Sequence, residues 1–398
     1  MNHKLIIFVL SFGSLVAFSC TEPPVGQQPI DSTSPAPVSN VRVENTAGGA
    51  ILKYTLPEDE DLLYVKAVYP LKDGMAEAKS SLYNDTIKIE GFGDIEPREV
   101  SVIAVDRSRN ESTPVKVMIE PKEPPVIAIG KSLTLDEDFG GVMATWKNPN
   151  RNEVSVHIIR QDSLGEYQPL ESFYTTVRQG SGTARGLDTI PANFGVYVQD
   201  RWNNICDTLY KELTPWYEAS FDRTKWANAK LPNDEPDVYG WVMERMWDGV
   251  YGPGTDNGFS SGAGTGRWPH SCTIDLGVVG RINRLLMYQR GSWYVFSEGA
   301  PKSFELYGAT EYDATGNWDS WTLLGTFNSV KPSGLPMGQN TAEDEDVAMI
   351  SGENFFLPRD APAVRWIRLK VTATWSGMDC FQIGELFVFG DNRSELYK

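Results

Sequence analysis

Short runs of alternating apolar and polar residues fill the first half of the chain. Between residues 37 and 122 apolar side chains recur at every second position, as in Ala50/Leu52/Tyr54 and Val100/Val102/Ala104. An alternation of period two predicts strands with one buried face, and no window in this range has the sustained 3.6-residue period of a helix. About seven short strands predict an immunoglobulin-like or fibronectin III-like β-sandwich at 37–122.

The same pattern returns after a proline-rich linker. Gly48-Gly49 recurs as Gly140-Gly141, a shift of 92 residues, and Asp106-Arg107-x-x-Asn110 recurs as Asp200-Arg201-x-x-Asn204, a shift of 94. Two motifs that recur with nearly the same shift along the chain predict an internal repeat, so residues 123–214 should form a second fibronectin III-like module. Asp and Asn side chains bond local backbone and tolerate left-handed conformations. We interpret the Asp-to-Asn element as a structural turn between the last two strands.

The chain after residue 214 has a different character. Residues 215–398 are rich in Trp and Gly, and longer loops separate their strands. Eight or so strands over this length predict a jelly-roll sandwich, which makes the whole chain all-β. The clearest predicted strands are Thr273–Gly277, Ile282–Arg290, Lys302–Gly308, Trp321–Gly325, Val364–Val371 and Phe381–Gly390.

Residues 1–20 have the pattern of a signal peptide. Lys4 precedes an apolar stretch that is too short to span a bilayer. Ala17 and Ser19 occupy the small-residue positions before Cys20, and this combination resembles a lipoprotein signal. It implies acylation of Cys20 and a stable membrane anchor. The alternative is an ordinary secreted protein in which Cys20 is incidental. Residues 21–36, rich in Pro, Ser, Thr and Gln, predict a flexible tether.

Charge and cysteine content exclude several classes of partner and site. The net charge of −17 argues against nucleic acid and anionic lipid headgroups as partners. Beyond Cys20 only Cys206, Cys272 and Cys380 remain, an odd number without metal-ligand spacing. The three His residues make a His-rich zinc site implausible.

A series of motifs in the last module resembles the discoidin family, which includes coagulation factor V/VIII type C domains and family 32 carbohydrate-binding modules. The motifs, in order, are Trp247-Asp248-Gly249, Ile274–Gly277, Arg290, Phe304–Gly308, Trp321, Arg365-x-Ile-Arg368 and Ile383–Gly390. The complete chain resembles uncharacterised lipoproteins of polysaccharide-utilisation loci. That resemblance implies a protein that binds poly- or oligosaccharide at the outer membrane, on the cell surface or the periplasmic face, and works with outer-membrane uptake proteins.

Aromatic residues on loops are the candidate sugar contacts, because sugars stack their C–H faces on exposed rings beside planar hydrogen-bonding groups. The resemblance implies a ligand on loops at one end of the sandwich. The candidates are Trp293, Tyr294, Arg290 and His270, followed by Trp268 and Trp375. The alternative interpretation places the aromatic residues in the core and Arg290 in a structural ion pair. Trp241, Trp247, Trp321 and Trp366 are predicted to be core or strand-capping residues.

The resemblance also implies a structural Ca²⁺ in the last module. Discoidin-like modules hold it between an Asp of an Asp-Gly turn and a Glu of the final strand, and Asp248 and Glu385 match these positions. The alternative is an Asp-initiated turn with an ordinary solvated Glu.

An enzyme is the first competing interpretation. A glycoside hydrolase needs two carboxylates at a fixed separation, but three sandwich modules leave no catalytic-sized domain. No His is positioned for a Ser/His/Asp triad, and we expect a protein without catalytic activity. A protein-binding adhesin or a structural subunit of an outer-membrane complex is the second alternative, since an aromatic loop also binds protein.

Overall fold

The protein is described by a computed structural model that covers residues 31–262, 266, 268–291 and 294–397. It is nearly all β, with 48% of residues in strands and 8% in helices. One compact unit contains the described residues up to Ala128 with Arg201–Asn204, and the other contains the remainder. The two α-helices are α1 (Pro125–Gly130) and α2 (Ala342–Met349). Within the described part, no helix has both the length and the apolar character to cross a membrane.

The first sandwich consists of seven antiparallel strands, as the alternation predicts. Its strands are β1 (Ser39–Thr46), β2 (Gly49–Thr55), β3 (Leu62–Leu71), β4 (Gly74–Ser81), β5 (Thr86–Glu90), β6 (Arg98–Asp106) and β7 (Val115–Ile119). One sheet has the order β1-β2-β5 and the other the order β4-β3-β6-β7. The alternating residues of β2 and β6 point inward, with Leu52, Val100 and Val102 fully buried. This is the fibronectin III-like arrangement.

The second sandwich repeats this architecture strand for strand. Its strands are β8 (Thr134–Asp138), β9 (Gly141–Lys147), β10 (Val154–Gln161), β11 (Tyr167–Thr175), β12 (Gln179–Arg185), β13 (Ala192–Gln199) and β14 (Leu209–Leu213). The sheets have the orders β8-β9-β12 and β11-β10-β13-β14.

The sequence landmarks of the repeat have the same backbone conformation in both copies. Gly48 and Gly140 both have φ near 62°, a left-handed conformation that glycine adopts without steric cost. In the first copy Asp106 accepts hydrogen bonds from the backbone N and side-chain Nδ2 of Asn110 at 2.8 and 2.9 Å. The residue before each Asn is also left-handed, Arg109 with φ 68° and Asn203 with φ 60°. The Asp-to-Asn element therefore forms a turn before the last strand of each sandwich.

The C-terminal sandwich is built on one long strand. Its strands are β15 (Ala219–Ser220), β16 (Ala227–Asn228), β17 (Phe259–Ser260), β18 (His270–Tyr288), β19 (Pro301–Ala309), β20 (Thr322–Asn328), β21 (Glu353–Phe356), β22 (Ala363–Thr374), β23 (Gln382–Ile383) and β24 (Glu385–Asp391). The main sheet has the order β15-β24-β18-β22-β19-β20, β16 and β21 also pair with β18, and β17 pairs with β23. This discoidin-like sandwich completes the predicted fold class, which the structure confirms.

The register of β18 and β22 fixes the two ends of the C-terminal sandwich. His270 pairs with Val371, whereas Arg281 pairs with Ala363 eight residues away. At roughly 3.3 Å per residue the two pairs lie about 25 Å apart along the strand. The predicted binding loops lie at the His270 end.

Candidate functional site

Three loops meet at the His270 end of the C-terminal sandwich. They lead into β18, connect β18 to β19, and follow β22. The backbone N of Gln382 donates to the carbonyl of Gly299 at 2.8 Å, and that of Trp375 to Ala300 at 3.0 Å. The ring of Phe381 lies 6.3 Å from that of His270, between centroids. The loops thus bring the described candidates to the same end of the sandwich.

Arg290 is held between two aromatic rings. Its Cζ lies 3.8 Å from the ring centroid of Tyr294 and 4.4 Å from that of Trp241. Its Nε and Nη2 donate to the two carboxylate oxygens of Asp256 at 2.5 and 3.2 Å, and Nη1 lies 3.5 Å from Oε1 of Gln382. The Arg290 side chain is 17% exposed and that of Asp256 is 55% exposed. The guanidinium is therefore fixed, while the carboxylate beside it is accessible to a ligand.

His270 is completely buried, and Trp268 covers it. The two rings have centroids 4.3 Å apart, and 39% of Trp268 is exposed. The Nδ1 of His270 lies 3.1 Å from Oε1 of Glu235, and its Nε2 lies 3.1 Å from Oδ1 of Asp379. Asp379 also accepts a 2.7 Å hydrogen bond from the backbone of Gly266. His270 supports the loop from below, and Trp268 presents the open aromatic surface.

Trp375 belongs to a separate packed cluster. Its ring makes an edge contact with the buried Phe296 at 5.1 Å between centroids, and its Nε1 donates to Oγ of Ser329 at 3.1 Å. It is half-buried, which leaves a smaller surface for stacking than Trp268 has. Trp293, the first predicted contact, and Cys20, the predicted lipidation site, lie outside the described residues.

The structure adds four residues that the sequence did not single out as site residues. Trp241 and Asp256 enclose Arg290, and Glu235 and Asp379 flank His270. A buried polar group requires a partner, so an Arg and a His at loop ends did indicate that such partners exist. Their identity required the fold, because Asp256 and Glu235 are 34 and 35 residues from the groups they contact.

The residues predicted to bind calcium lie close to each other. Glu385 is completely buried, and its Oε1 accepts hydrogen bonds from the backbone of Gly249, at 2.9 Å, and from Nη1 of Arg223. Burial raises the pKa of Glu385 to about 7 against the opposing effect of Arg223. Asp248 is exposed and accepts from Nδ2 of Asn257 with both oxygens, each at 3.0 Å.

One carboxylate oxygen of Glu385 is suited to bind a cation. The Oε2 of Glu385 is buried and has no hydrogen-bond partner among the described residues. An ion there would join the Asp248 turn to β24, and backbone oxygens would complete the six to eight ligands that Ca²⁺ takes. The guanidinium of Arg223 competes for the same carboxylate. Calcium therefore stays a prediction.

Three family models match successive parts of the chain, and each is described as a domain of unknown function. They match residues 35–121 (DUF4959), 122–224 (DUF5126) and 247–390 (DUF5000). No curated protein matches the chain.

Several solved structures are similar to parts of the chain. A SusE-like protein is 30% identical, and the match covers 67% of this chain and 99% of that protein, with a TM-score of 0.45. The C-terminal domain of a chitobiase from Bacteroides fragilis is 15% identical over 43% of this chain and 97% of that domain, with a TM-score of 0.30. An F5/8 type C domain from Bacteroides fragilis is 9% identical, and the match covers 44% of this chain and 97% of that domain, with a TM-score of 0.30. Because the sequence identity of the first extends over nearly its entire length, the chain belongs to the family of SusE-like proteins.

Proposed function

We propose that this protein is a surface lipoprotein that binds glycan through its C-terminal sandwich, as an accessory to an outer-membrane polysaccharide uptake system. Membership in the SusE-like family supports the accessory role. In this proposal the protein binds without catalysing a reaction, and the first and second sandwiches act as spacers between the anchor and the binding loops.

The observation that carries the proposal is the exposed Trp268 ring above the buried His270. A sugar stacks its C–H face on such a ring, and its hydroxyls need hydrogen-bonding groups at the edge. The exposed carboxylate of Asp256 and the 27% exposed side chain of Asp379 supply acceptors at the same end of the sandwich. Because His270, Glu235 and Arg290 are already fixed by contacts, the loops need little ordering when a ligand binds.

Affinity for one sugar residue should be modest. A shallow site with one or two stacked rings gives a dissociation constant of roughly millimolar to micromolar, or about −4 to −8 kcal/mol. Tethering many copies to one membrane would then provide avidity for a polymer.

The test is calorimetric titration of the full chain with a panel of oligosaccharides. Trp268→Ala should weaken binding by about 1–3 kcal/mol, as loss of an aromatic anchor does. It should also lower the melting temperature somewhat, because the ring packs 4.3 Å from that of the buried His270, so the titration is run well below the melting transition of the variant. Tyr83→Ala in the first sandwich, which removes a 91% exposed ring, is the matched control and should bind like the wild type. Binding that survives Trp268→Ala would place the site elsewhere, and no binding to any glycan would argue for a protein partner.

The lipid anchor is tested separately. Metabolic labelling with a fatty acid should mark the wild-type protein and not Cys20→Ala, because the thiol is the acylation site. An unlabelled wild type would exclude the lipoprotein and leave the alternative of an ordinary secreted protein.

A further inference from the structure

A cavity lies between the second sandwich and the C-terminal sandwich, which belong to the same compact unit. Its volume is about 460 Å³, within the range of small-ligand pockets. Its lining includes Glu137 and Phe139 of the second sandwich, Trp216 and Tyr217 of the connecting segment, and Arg281 of the C-terminal sandwich. Because Arg281 pairs with Ala363, the cavity lies at the opposite end of β22 from the Trp268 loops.

The walls of the cavity are held in place by bonds across the junction. Oε1 of Glu218 lies 3.4 Å from Nη1 of Arg185 in the second sandwich, and accepts from Asn283 at 2.6 Å and Arg284 at 3.2 Å in the C-terminal sandwich. The backbone N of Trp216 donates to the carbonyl of Asp138 at 2.9 Å, and the N of Gly140 donates back to Trp216 at 2.8 Å. The cavity is therefore preformed, and binding there requires little ordering.

Arg281 carries an unused hydrogen-bond donor in this wall. The half-buried guanidinium of Arg281 lines the cavity, and its terminal Nη1 and Nη2 are the donors that a ligand would meet. Its Nε also has no partner among the described residues, but protein atoms cover it. The neighbouring Arg393 is different, because both oxygens of Asp391 accept from it at 2.8 and 2.6 Å.

The remaining lining suits a neutral molecule with many hydroxyls. Arg281 and Arg393 are balanced by Glu137 and Asp391, so the lining has no net charge. The half-buried Glu137 offers an acceptor from the second sandwich, and Arg281 offers a donor from the C-terminal sandwich. A sugar hydroxyl donates and accepts at once. The half-buried rings of Trp216 and Tyr217, over which Arg359 and Arg393 stack with Cζ 5.0 and 4.4 Å from the centroids, add apolar surface to the lining. A carboxylate ligand would instead meet Glu137 and the net charge of −17.

We propose that this cavity is a second sugar-binding site that takes a neutral sugar residue, with Arg281 donating to and Glu137 accepting from its hydroxyls. The site is independent of the Trp268 loops. Two sites on one chain would let the protein hold two positions of the same polymer.

The experiment uses the full chain and the methyl glycosides of galactose, glucose and mannose, with glucuronate as the charged comparison. Hydrogen exchange should show protection of the peptide that contains Arg393 and Tyr397 by at least one neutral glycoside. Arg281→Gln should weaken that binding by about tenfold or more, since a hydrogen bond to a charged donor is lost. Its melting temperature should stay unchanged, because Nε has no protein partner to lose. Arg42→Gln, the same substitution on an exposed strand position, is the control and should change neither value.

Trp268→Ala separates this site from the loop site, because it should leave the protection at Arg393 and Tyr397 intact. Loss of that protection in Trp268→Ala would overturn the proposal of an independent site. Protection that survives Arg281→Gln, or the absence of protection by every neutral glycoside, would also overturn it. Binding of glucuronate in preference to the neutral glycosides would show that the charge argument is wrong.

Discussion

Replacing the buried Arg368 tests how the C-terminal sandwich is held together. This residue of β22 has no exposed surface. Its Nη1 donates to the carbonyl of Gly316 and its Nη2 to Oδ1 of Asn233, each at 2.9 Å, and Nε donates to Oδ1 of Asp234 at 3.3 Å. Its Cζ lies 3.7 Å from the ring centroid of Trp318. One guanidinium therefore joins β22 to two separate loops.

Arg368→Met keeps most of the aliphatic length but removes every donor. The carboxylate of Asp234, whose side chain is 7% exposed, would lose its buried cation. Oδ1 of Asn233 and the carbonyl of Gly316 would each lose one hydrogen bond. Removing one partner of a buried ion pair costs about 3–5 kcal/mol. For a domain of this size 1 kcal/mol lowers the melting temperature by about 2–4 °C. The expected fall is roughly 6–20 °C.

The chain provides a matched control three residues away. Arg365 donates to both oxygens of Asp275 at 2.8 Å, but its side chain is 39% exposed. An exposed ion pair contributes about 0–1 kcal/mol, so Arg365→Met should cost less than about 4 °C. Calorimetry of the full chain measures both variants, and the near-ultraviolet signal of the Trp-rich C-terminal sandwich identifies its transition. The reasoning is refuted if Arg368→Met melts within about 2 °C of the wild type, or if Arg365→Met is equally destabilising.

Two further predictions concern Glu385. Its pKa of about 7 in the folded protein exceeds the ordinary 4.5, so between these values the folded state keeps a proton that the unfolded state has lost. The free energy of unfolding should therefore fall as the pH rises through this window, and Glu385→Gln should lack this contribution. Thermal melts at several pH values measure it. If the melting temperature changes equally with pH in both proteins, the raised pKa of Glu385 is contradicted. If Ca²⁺ binds at Asp248 and Glu385, adding it after chelation at about 100 times its dissociation constant should stabilise the wild type by about 2.7 kcal/mol. No shift in the wild type, or the same shift in Glu385→Gln, would exclude this site.

The fold was predictable where one local rule decides the structure. Alternation marked the strands, and the left-handed positions at Gly48 and Gly140 followed from the residue type. Helix α2 was not predicted, because eight residues between strands are too few to show a helical period. Its signal was a capping box, in which Thr341 and Asp344 bond each other's backbone. Burial raises the pKa of Asp344, but hydrogen bonds from Ser333 and Thr341 outweigh this effect and lower the pKa to about 2.

The sequence predicted which types of residue lie at the candidate site, but not which of these side chains are exposed. Arg and His beside aromatic residues on loops indicate a site for a polar ligand. When the same side chains are buried, however, they form hydrogen bonds and ion pairs with other residues of the protein. His270 lies between two carboxylates with no exposed surface, whereas Trp268, two residues earlier, leaves 39% of its surface open. Sequence spacing does not distinguish them, because their burial is set by Glu235, Asp379 and Phe381, which arrive from other strands and loops. We therefore propose Trp268 and Asp256 as the ligand contacts, and the buried residues around them hold these two side chains in position.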